Sequence, residues 1–207
     1  MFTGIVQAIG RIDRVEPLGS GADSGVRLRI RVEPPFLSGT QEGDSICVSG
    51  VCLTATSVAP DAFTADVSRE SLSRTTGLDA PRAVNLETSL RLGDKLGGHL
   101  VFGHVDGVGE VVRFEPVGES HELVLRAPPG LARYLAFKGS VSVDGVSLTV
   151  NRVTDVAAGC EFSINLIPHT LAATTLRGLS AGTRVNLEAD MVARYVERML
   201  EGRIPAR

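Results

Sequence analysis

Residues Val26-Arg27-Leu28-Arg29-Ile30-Arg31-Val32 alternate apolar and cationic positions. That period of two predicts a half-buried strand with its arginines in solvent. Ser140-Val141-Ser142-Val143 alternates in the same way, and residues 108–112 and 122–125 read as further strands. Turn-forming clusters interrupt these runs at residues 19–25, Pro34-Pro35, Pro60-Asp61, Pro128-Pro129-Gly130 and Ala157-Ala158-Gly159. Short strands at such spacing predict an all-β barrel or sandwich. Helical signals are few. Phe36-Leu37 and residues 131–135 each follow a double proline, a fitting start for one or two turns of helix. Residues 70–76 and 169–176 are candidate short helical turns. One longer helix is expected over 191–200, with Val192, Tyr195, Val196 and Met199 forming an apolar stripe. Arg194, Glu197, Arg198 and Glu201 lie off the stripe, Asp190 stands at the N-cap, and Gly202 stands where the helix would stop. The stripe must be buried on the chain's own barrels or against another helix.

The chain repeats itself. Val48-Ser49-Gly50-Val51-Cys52-Leu53-Thr54 returns as Val143-Asp144-Gly145-Val146-Ser147-Leu148-Thr149, offset by 95. Residues 14–19 return as residues 113–118, offset by 99. Val84-Asn85-Leu86-Glu87 returns letter for letter as Val185-Asn186-Leu187-Glu188, offset by 101. One domain has been duplicated, so a chain of 207 residues divides into 1–97, 98–189 and a terminal helix and tail over 190–207. Two equivalent folds suit a task involving two equivalent ligands.

Composition narrows the classes. The formal net charge is −3 with the signs mixed along the chain, so a nucleic-acid partner is not expected. No apolar run approaches the roughly 20 residues of a membrane helix. The start, Met1-Phe2-Thr3-Gly4-Ile5-Val6, has no signal-peptide pattern. Cys47, Cys52 and Cys160 are odd in number and lack metal-type spacing, which argues for free thiols in a reducing cytoplasm.

Three stretches could carry chemistry. In the duplicated block, alternation puts Cys52 and Thr54 on one strand face and Val51 and Leu53 on the other, with Ser147 and Thr149 disposed alike. An ordinary solvent face with a structural cysteine is the plain alternative, and repetition in both halves favours a pocket wall. The junction over residues 97–109 holds five glycines, His99, His104 and Asp106. Its spacing matches no zinc signature, and Gly107-Val108-Gly109 leads into a strand rather than the helix a dinucleotide fingerprint requires. A histidine acting as general base and a pair of turn histidines are equally supported there. The third stretch is Ile164-Asn165-Leu166-Ile167-Pro168-His169-Thr170, aligned with Val67-Ser68-Arg69-Glu70-Ser71. For Asp190 alone, helix capping is the preferred role.

Together the opening MFTGIV, the pair SGVCLT and DGVSLT, the junction GGHLVFGHVDG, the run INLIPHT and the ending VNLEAD resemble the riboflavin synthase alpha-chain family, from Met1 to about Leu200. The resemblance implies two tandem six-stranded antiparallel Greek-key barrels and a C-terminal α-helix that assembles a homotrimer. It implies conversion of two molecules of 6,7-dimethyl-8-ribityllumazine into riboflavin and 5-amino-6-(D-ribitylamino)uracil, without cofactor or metal. The active site would form between the first barrel of one subunit and the second barrel of a neighbour, and some relatives sit within a lumazine synthase shell. Carried over by position, Ser45, Cys52, Thr54 and Ser68 would line the first pocket, and Ser147, Thr149, Ile167 and Thr170 the second. Gly4, Ile5, Val6, Leu53, Gly103, Val105, Lys138, Leu148 and Asn165 are further expected substrate contacts. His104 rather than His99 falls at the acid–base position, Asp190 falls beside the substrate, and Phe2 matches a terminal residue needed for activity. The nucleophile that adds to the ring is Cys52 or water. Ser49 and Arg194 depart from the usual asparagine and lysine. A non-catalytic antenna protein of the same fold, binding one chromophore, is the competing expectation, and a flavin-carrier or interaction domain is a third. The halves also differ, Cys52 against Ser147, Ile5 against His104 and Ser89 against Asp190, which would let identical molecules play unequal parts.

Overall fold

The computed structural model describes residues 1–21 and 23–201, with nothing said of the Glu201 side chain. Strands β1 (Ala8–Pro17), β2 (Val26–Arg31), β3 (Ser45–Val48), β4 (Val51–Ala59), β5 (Ala62–Val67) and β6 (Arg82–Thr88) close into a barrel in the order β1-β2-β5-β4-β3-β6. All pairings are antiparallel. The connection from β2 to β3 skips two strands, the Greek-key crossing. The alternation in β2 holds: Leu28 and Ile30 are buried in the barrel, while Arg27 and Arg29 reach outward to Asp66 and Asp13. These surface ion pairs add little stability beside the buried aliphatic interior.

The second half follows the same order with one strand more. Strands β7 (Gly107–Val117), β8 (Ser120–Ala127), β9 (Ser140–Val143), β10 (Val146–Thr149), β11 (Arg152–Val156), β12 (Gly159–Leu166) and β13 (Arg184–Ala189) form a curled sheet ordered β10-β9-β13-β7-β8-β12-β11. The expected six strands become seven because the counterpart of β4 is interrupted at Val150 and Asn151. In β4 the pairing register slips between Ala55 and Ser57. In the second half, Val150 N–H donates to Gly139 O at 2.9 Å and Asn151 N–H to Ser163 O at 2.8 Å. Successive donors therefore turn to opposite neighbours, and a bulge becomes a corner.

The short helices fall at matching places: α1 (Arg69–Arg74) after β5, and α3 (Pro168–Ala173) after β12, followed by a 3₁₀ turn over Thr175–Gly178. Residues 131–135 are helical only at the end of α2 (Pro129–Ala132). The helix expected at Phe36-Leu37 is absent, and residues 34–39 form a run of turns. The backbone bonds there, Phe36 N–H to Glu33 O, Ser38 N–H to Pro35 O and Thr40 N–H to Leu37 O, each span three residues rather than the four of an α-helix.

The halves meet through reciprocal contacts. Ser49-Gly50 and Asp144-Gly145 are hairpin turns with all four residues at positive φ, the I′ geometry that joins β3 to β4 and β9 to β10. The two turns face each other so closely that a Cβ on Gly50 would lie 2.9 Å from Gly145 N, and one on Gly145 2.8 Å from Gly50 N. Asn85 donates to Asp144 O at 2.9 Å and accepts from Thr175 N–H at 2.8 Å. Asn186 mirrors it, donating to Ser49 O at 2.9 Å and accepting from Thr76 N–H at 2.8 Å. Phe2 and Val101, equivalent under the repeat, exchange backbone hydrogen bonds with each other.

Helix α4 (Met191–Glu201) follows β13. Its polar side docks through Arg194 on Asp106, with the Arg194 guanidinium 5.2 Å from the Tyr134 ring centre, and through Glu197 on Arg133. The stripe is not buried on the barrels: Tyr195 is 67% exposed and Met199 70%, with Val192 and Val196 also exposed. Gly202 lies outside the described residues.

Candidate functional site

In each half the Cys/Ser and Thr strand is crossed by a segment that the other half contributes. Residues 1–6 leave the first barrel and lie on the second, where Val6 packs against the second core. Residues 101–106 leave the second barrel and lie on the first, where Val105 packs against the first core. At the crossing points Ser147 N–H donates to Gly4 O at 2.8 Å, and Cys52 N–H donates to Gly103 O at 2.8 Å. Both glycines hold positive φ, and a Cβ would come within 2.6 Å of Ser147 Cβ at Gly4 and 2.7 Å of Cys52 Cβ at Gly103. Only glycine fits that approach.

Two buried carboxylates hold these arms. Glu87 on β6 accepts from Thr3 N–H and Thr3 Oγ1 at 2.7 Å each and from Gly4 N–H at 2.9 Å. Glu188 on β13 accepts from the N–H groups of Phe102, Gly103 and His104 at 2.6, 2.8 and 3.1 Å. Burial pushes both carboxyl pKa values up, and the arm donors work the other way.

In the second half, Gly4, Ile5, Val6, Ser147 and Thr170 come together with Val146, His169, Ala173 and Thr174 around a recess of about 100 Å³. Ile167 precedes Pro168 as the exposed N-cap of α3. Ser147 Oγ lies 2.7 Å from His99 Nδ1. Burial pushes the His99 imidazole below the ordinary histidine value, so it is neutral near pH 7, while nearby Asp190 acts in the opposite sense. Asp190 itself caps α4, accepting from Val192 N–H at 2.9 Å. Thr149 is exposed, opposite Ser140 on β9. Lys138 stands in left-handed backbone and donates to Asn151 Oδ1 at 3.2 Å. Asn165 lines a separate recess of about 190 Å³ with Glu122, Asn151 and Ser163.

In the first half, Cys52 and Thr54 face outward on β4, Ser45 pairs across from Thr54, and Ser68 caps α1 by accepting from Ser71 N–H at 3.0 Å. His104 is exposed at the tip of the second arm, its ring 6.1 Å from Phe102. Leu53 and Leu148 point into the barrel cores, so only their backbones can face a ligand. Phe2 is fully buried beside Cys47 and Val101. All three cysteines are free, and Cys47 pairs directly across from Cys52. Burial pushes the Cys47 thiol far up, which keeps it protonated and unreactive. Among the described residues no group of acidic, cysteine or histidine side chains could hold a metal ion, and no helix is long and apolar enough to cross a membrane.

Sequence reasoning missed His99 as the partner of Ser147, and missed Glu87 and Glu188 altogether. The letter-for-letter repeat of Asn and Glu in two apolar strands was the available signal. All four side chains are buried, and a buried polar group placed identically twice needs a partner in both places.

A closed Greek-key barrel fused to a curled sheet of the same strand order, each presenting a polar strand face under an arm from the other half, defines a tandem-site small-ligand protein. The family model described as lumazine binding domain matches residues 3–89 and 102–190. The riboflavin synthase of Brucella abortus is 44% identical over 209 residues, covering 97% of this chain and 98% of that one. That of Mycobacterium tuberculosis is 45% identical over 207 residues, again 97% and 98%. A solved structure of LumP complexed with 6,7-dimethyl-8-(1'-D-ribityl) lumazine superposes with a TM-score of 0.78 at 25% identity, over 91% of this chain and 99% of that one. The chain belongs to the lumazine-binding family, in its riboflavin synthase branch.

Proposed function

We propose that this chain is a riboflavin synthase, a transferase that moves a four-carbon unit between two molecules of 6,7-dimethyl-8-ribityllumazine. The products are riboflavin and 5-amino-6-(D-ribitylamino)uracil. The observation that carries this is the intact pair of exchanged arms: both halves keep the outward Cys/Ser and Thr wall, the crossing glycine and the arm. An antenna protein needs only one working pocket, and the curated relatives named above are synthases.

The second-half recess, at about 100 Å³, is well below the roughly 300–1,000 Å³ of ordinary ligand sites. A second surface is needed to enclose a lumazine, and the exposed stripe of α4 offers the means of bringing one. A homotrimer built on that helix, with the first pocket of one subunit facing the second pocket of its neighbour, meets both needs. An apolar helical stripe left in water marks such a contact. Free thiols support a reducing cytoplasm. Association with a lumazine synthase shell rests on the family resemblance alone.

Within the paired site, one lumazine loses a methyl proton and the other gains a nucleophile, Cys52 or water, on its ring. His104 at the first pocket is the candidate base for proton transfer. At the second pocket, neutral His99 accepts from or donates to Ser147 Oγ, and Asp190 stands by as the nearby charge. Proton transfer by a positioned group contributes about 10²–10⁴-fold. Holding two reactants face to face contributes more, on the order of 7–11 kcal/mol, so positioning dominates.

Incubating the pure protein with dimethyl-ribityllumazine and assaying riboflavin decides the matter. Conversion in a 2:1 ratio supports the synthase, whereas tight binding without product would make the chain an antenna protein. Cys52→Ser and Ser147→Cys should each lower kcat at least tenfold while leaving the circular dichroism spectrum unchanged. Wild-type rates in both variants would remove these residues from the mechanism.

A further inference from the structure

We infer that Glu87 and Glu188 are positioning residues with crossed control: Glu87, in the first half, sets the Ser147 pocket, and Glu188, in the second half, sets the Cys52 pocket. The pocket assignments rest on the proposed function; the crossed mechanical link does not.

The argument starts from the repeated Val-Asn-Leu-Glu block, which the ligand-facing residues leave unexplained. Its asparagines clamp barrel to barrel. Its glutamates do something else: among the described residues, the groups that donate to their side chains lie outside the barrel strands. Among the described residues, every group that donates to Glu87 belongs to Thr3 or Gly4, and every group that donates to Glu188 belongs to residues 102–104. Each carboxylate grips only the arm that leaves its own half. Each arm then forms a wall of the opposite pocket, through Gly4 O on Ser147 N–H and Gly103 O on Cys52 N–H. The first arm also carries His99, whose N–H donates to Thr3 O at 3.1 Å. The Glu87 staple therefore sets the His99–Ser147 contact as well. The second arm carries His104, one of the three donors to Glu188.

Three donors converge on the two oxygens of each group, a set that an acceptor-only carboxylate matches best. A glutamine offers one acceptor oxygen and would aim its NH₂ at a backbone N–H; an aspartate is one methylene too short. Burial raises both carboxyl pKa values, so keeping these groups ionised opposes folding stability rather than adding to it. The first barrel and the curled second sheet are held without them, by their own ladders and aliphatic cores. A costly group that holds only a pocket wall is placed for the site.

The test uses the full chain and thiol alkylation, which needs no substrate. Cys47 and Cys160 are buried, and Cys52 is half-buried under Gly103. Glu188→Gln should raise the rate of Cys52 alkylation by iodoacetamide at least fivefold, and Glu87→Gln should leave it within twofold. In a Cys52→Ser, Ser147→Cys background the order should reverse, with alkylation at position 147 rising in Glu87→Gln alone. Both single variants should lose at least tenfold in kcat for riboflavin formation, with thermal midpoints within a few degrees of wild type. Glu→Asp should not restore the rate. Equal alkylation changes in both variants, or none, would overturn crossed control. Unchanged kcat in both variants of an active enzyme would overturn the positioning role. If the wild-type protein makes no riboflavin, the proposed function fails while the alkylation pattern still judges the crossed link.

Discussion

Asp144 illustrates how a single residue can act against the fold it belongs to. It occupies the first turn position facing Gly50, accepts from Asn186 N–H at 2.8 Å, and burial pushes its pKa up to about 7. Because its folded pKa lies above the unfolded one, the Asp144 contribution to stability is full below about pH 4 and is lost as pH rises through about 7. Denaturant unfolding at pH 5 and pH 8 should show the wild type losing stability on the alkaline side. Asp144→Asn keeps the acceptor oxygen and tolerates the positive φ of 46°, so it should flatten that loss and gain roughly 1–3 kcal/mol at pH 8. Equal slopes in the two proteins would rule out Asp144 as the titrating group. The residues along the chain do not choose between His99 and His104, and the family resemblance alone prefers His104; folding buries His99 on Ser147 and leaves His104 in solvent.

At the scale of elements, alternation and punctuation made the strands legible. Residues 140–143 were expected as a strand and form β9, and β2 follows its arginine ladder. What alternation could not show is where a strand breaks. The counterpart of β4 reads continuously through Val150 and Asn151, but the fold turns a corner there, because the donors of two adjacent residues serve different neighbours. The asparagines of β6 and β13 tie the halves, each satisfying a backbone donor of the opposite half. Asn85→Ala should leave Thr175 N–H without its acceptor, and Asn186→Ala should do the same to Thr76. Each should cost about 1–3 kcal/mol in urea unfolding, and the two costs together should differ from their sum, since both residues join the same interface. Simple additivity would show that the two ties act independently.

For the molecule as a whole, α4 is the element that does not finish its own packing. The barrels hold its polar side through Arg194 and Glu197, while the stripe faces outward. Deleting residues 191–207 should leave both barrels folded by circular dichroism, reduce the mass in solution by light scattering from trimer to monomer, and abolish riboflavin formation. A truncated chain that stays trimeric would move the assembly surface elsewhere. The duplication takes on a further meaning at this scale. The two copies are not beads on a string, because each sends its leading segment onto the other, so neither pocket belongs wholly to one repeat.

The sequence by itself determined the duplication, the all-β class, the outward Cys/Ser and Thr walls and the amphipathic last helix. All of these are local periodicities or identities, visible without knowing what lies nearby. Only the tertiary structure decided which histidine meets Ser147, that the second barrel gains a corner, that the Val-Asn-Leu-Glu blocks clamp the halves and hold the arms, and that the helix stripe stays exposed. The histidine contact, the clamps and the held arms depend on groups about 50 to 140 residues apart meeting at hydrogen-bond distance. Burial then makes unpaired donors and acceptors costly enough to select one arrangement.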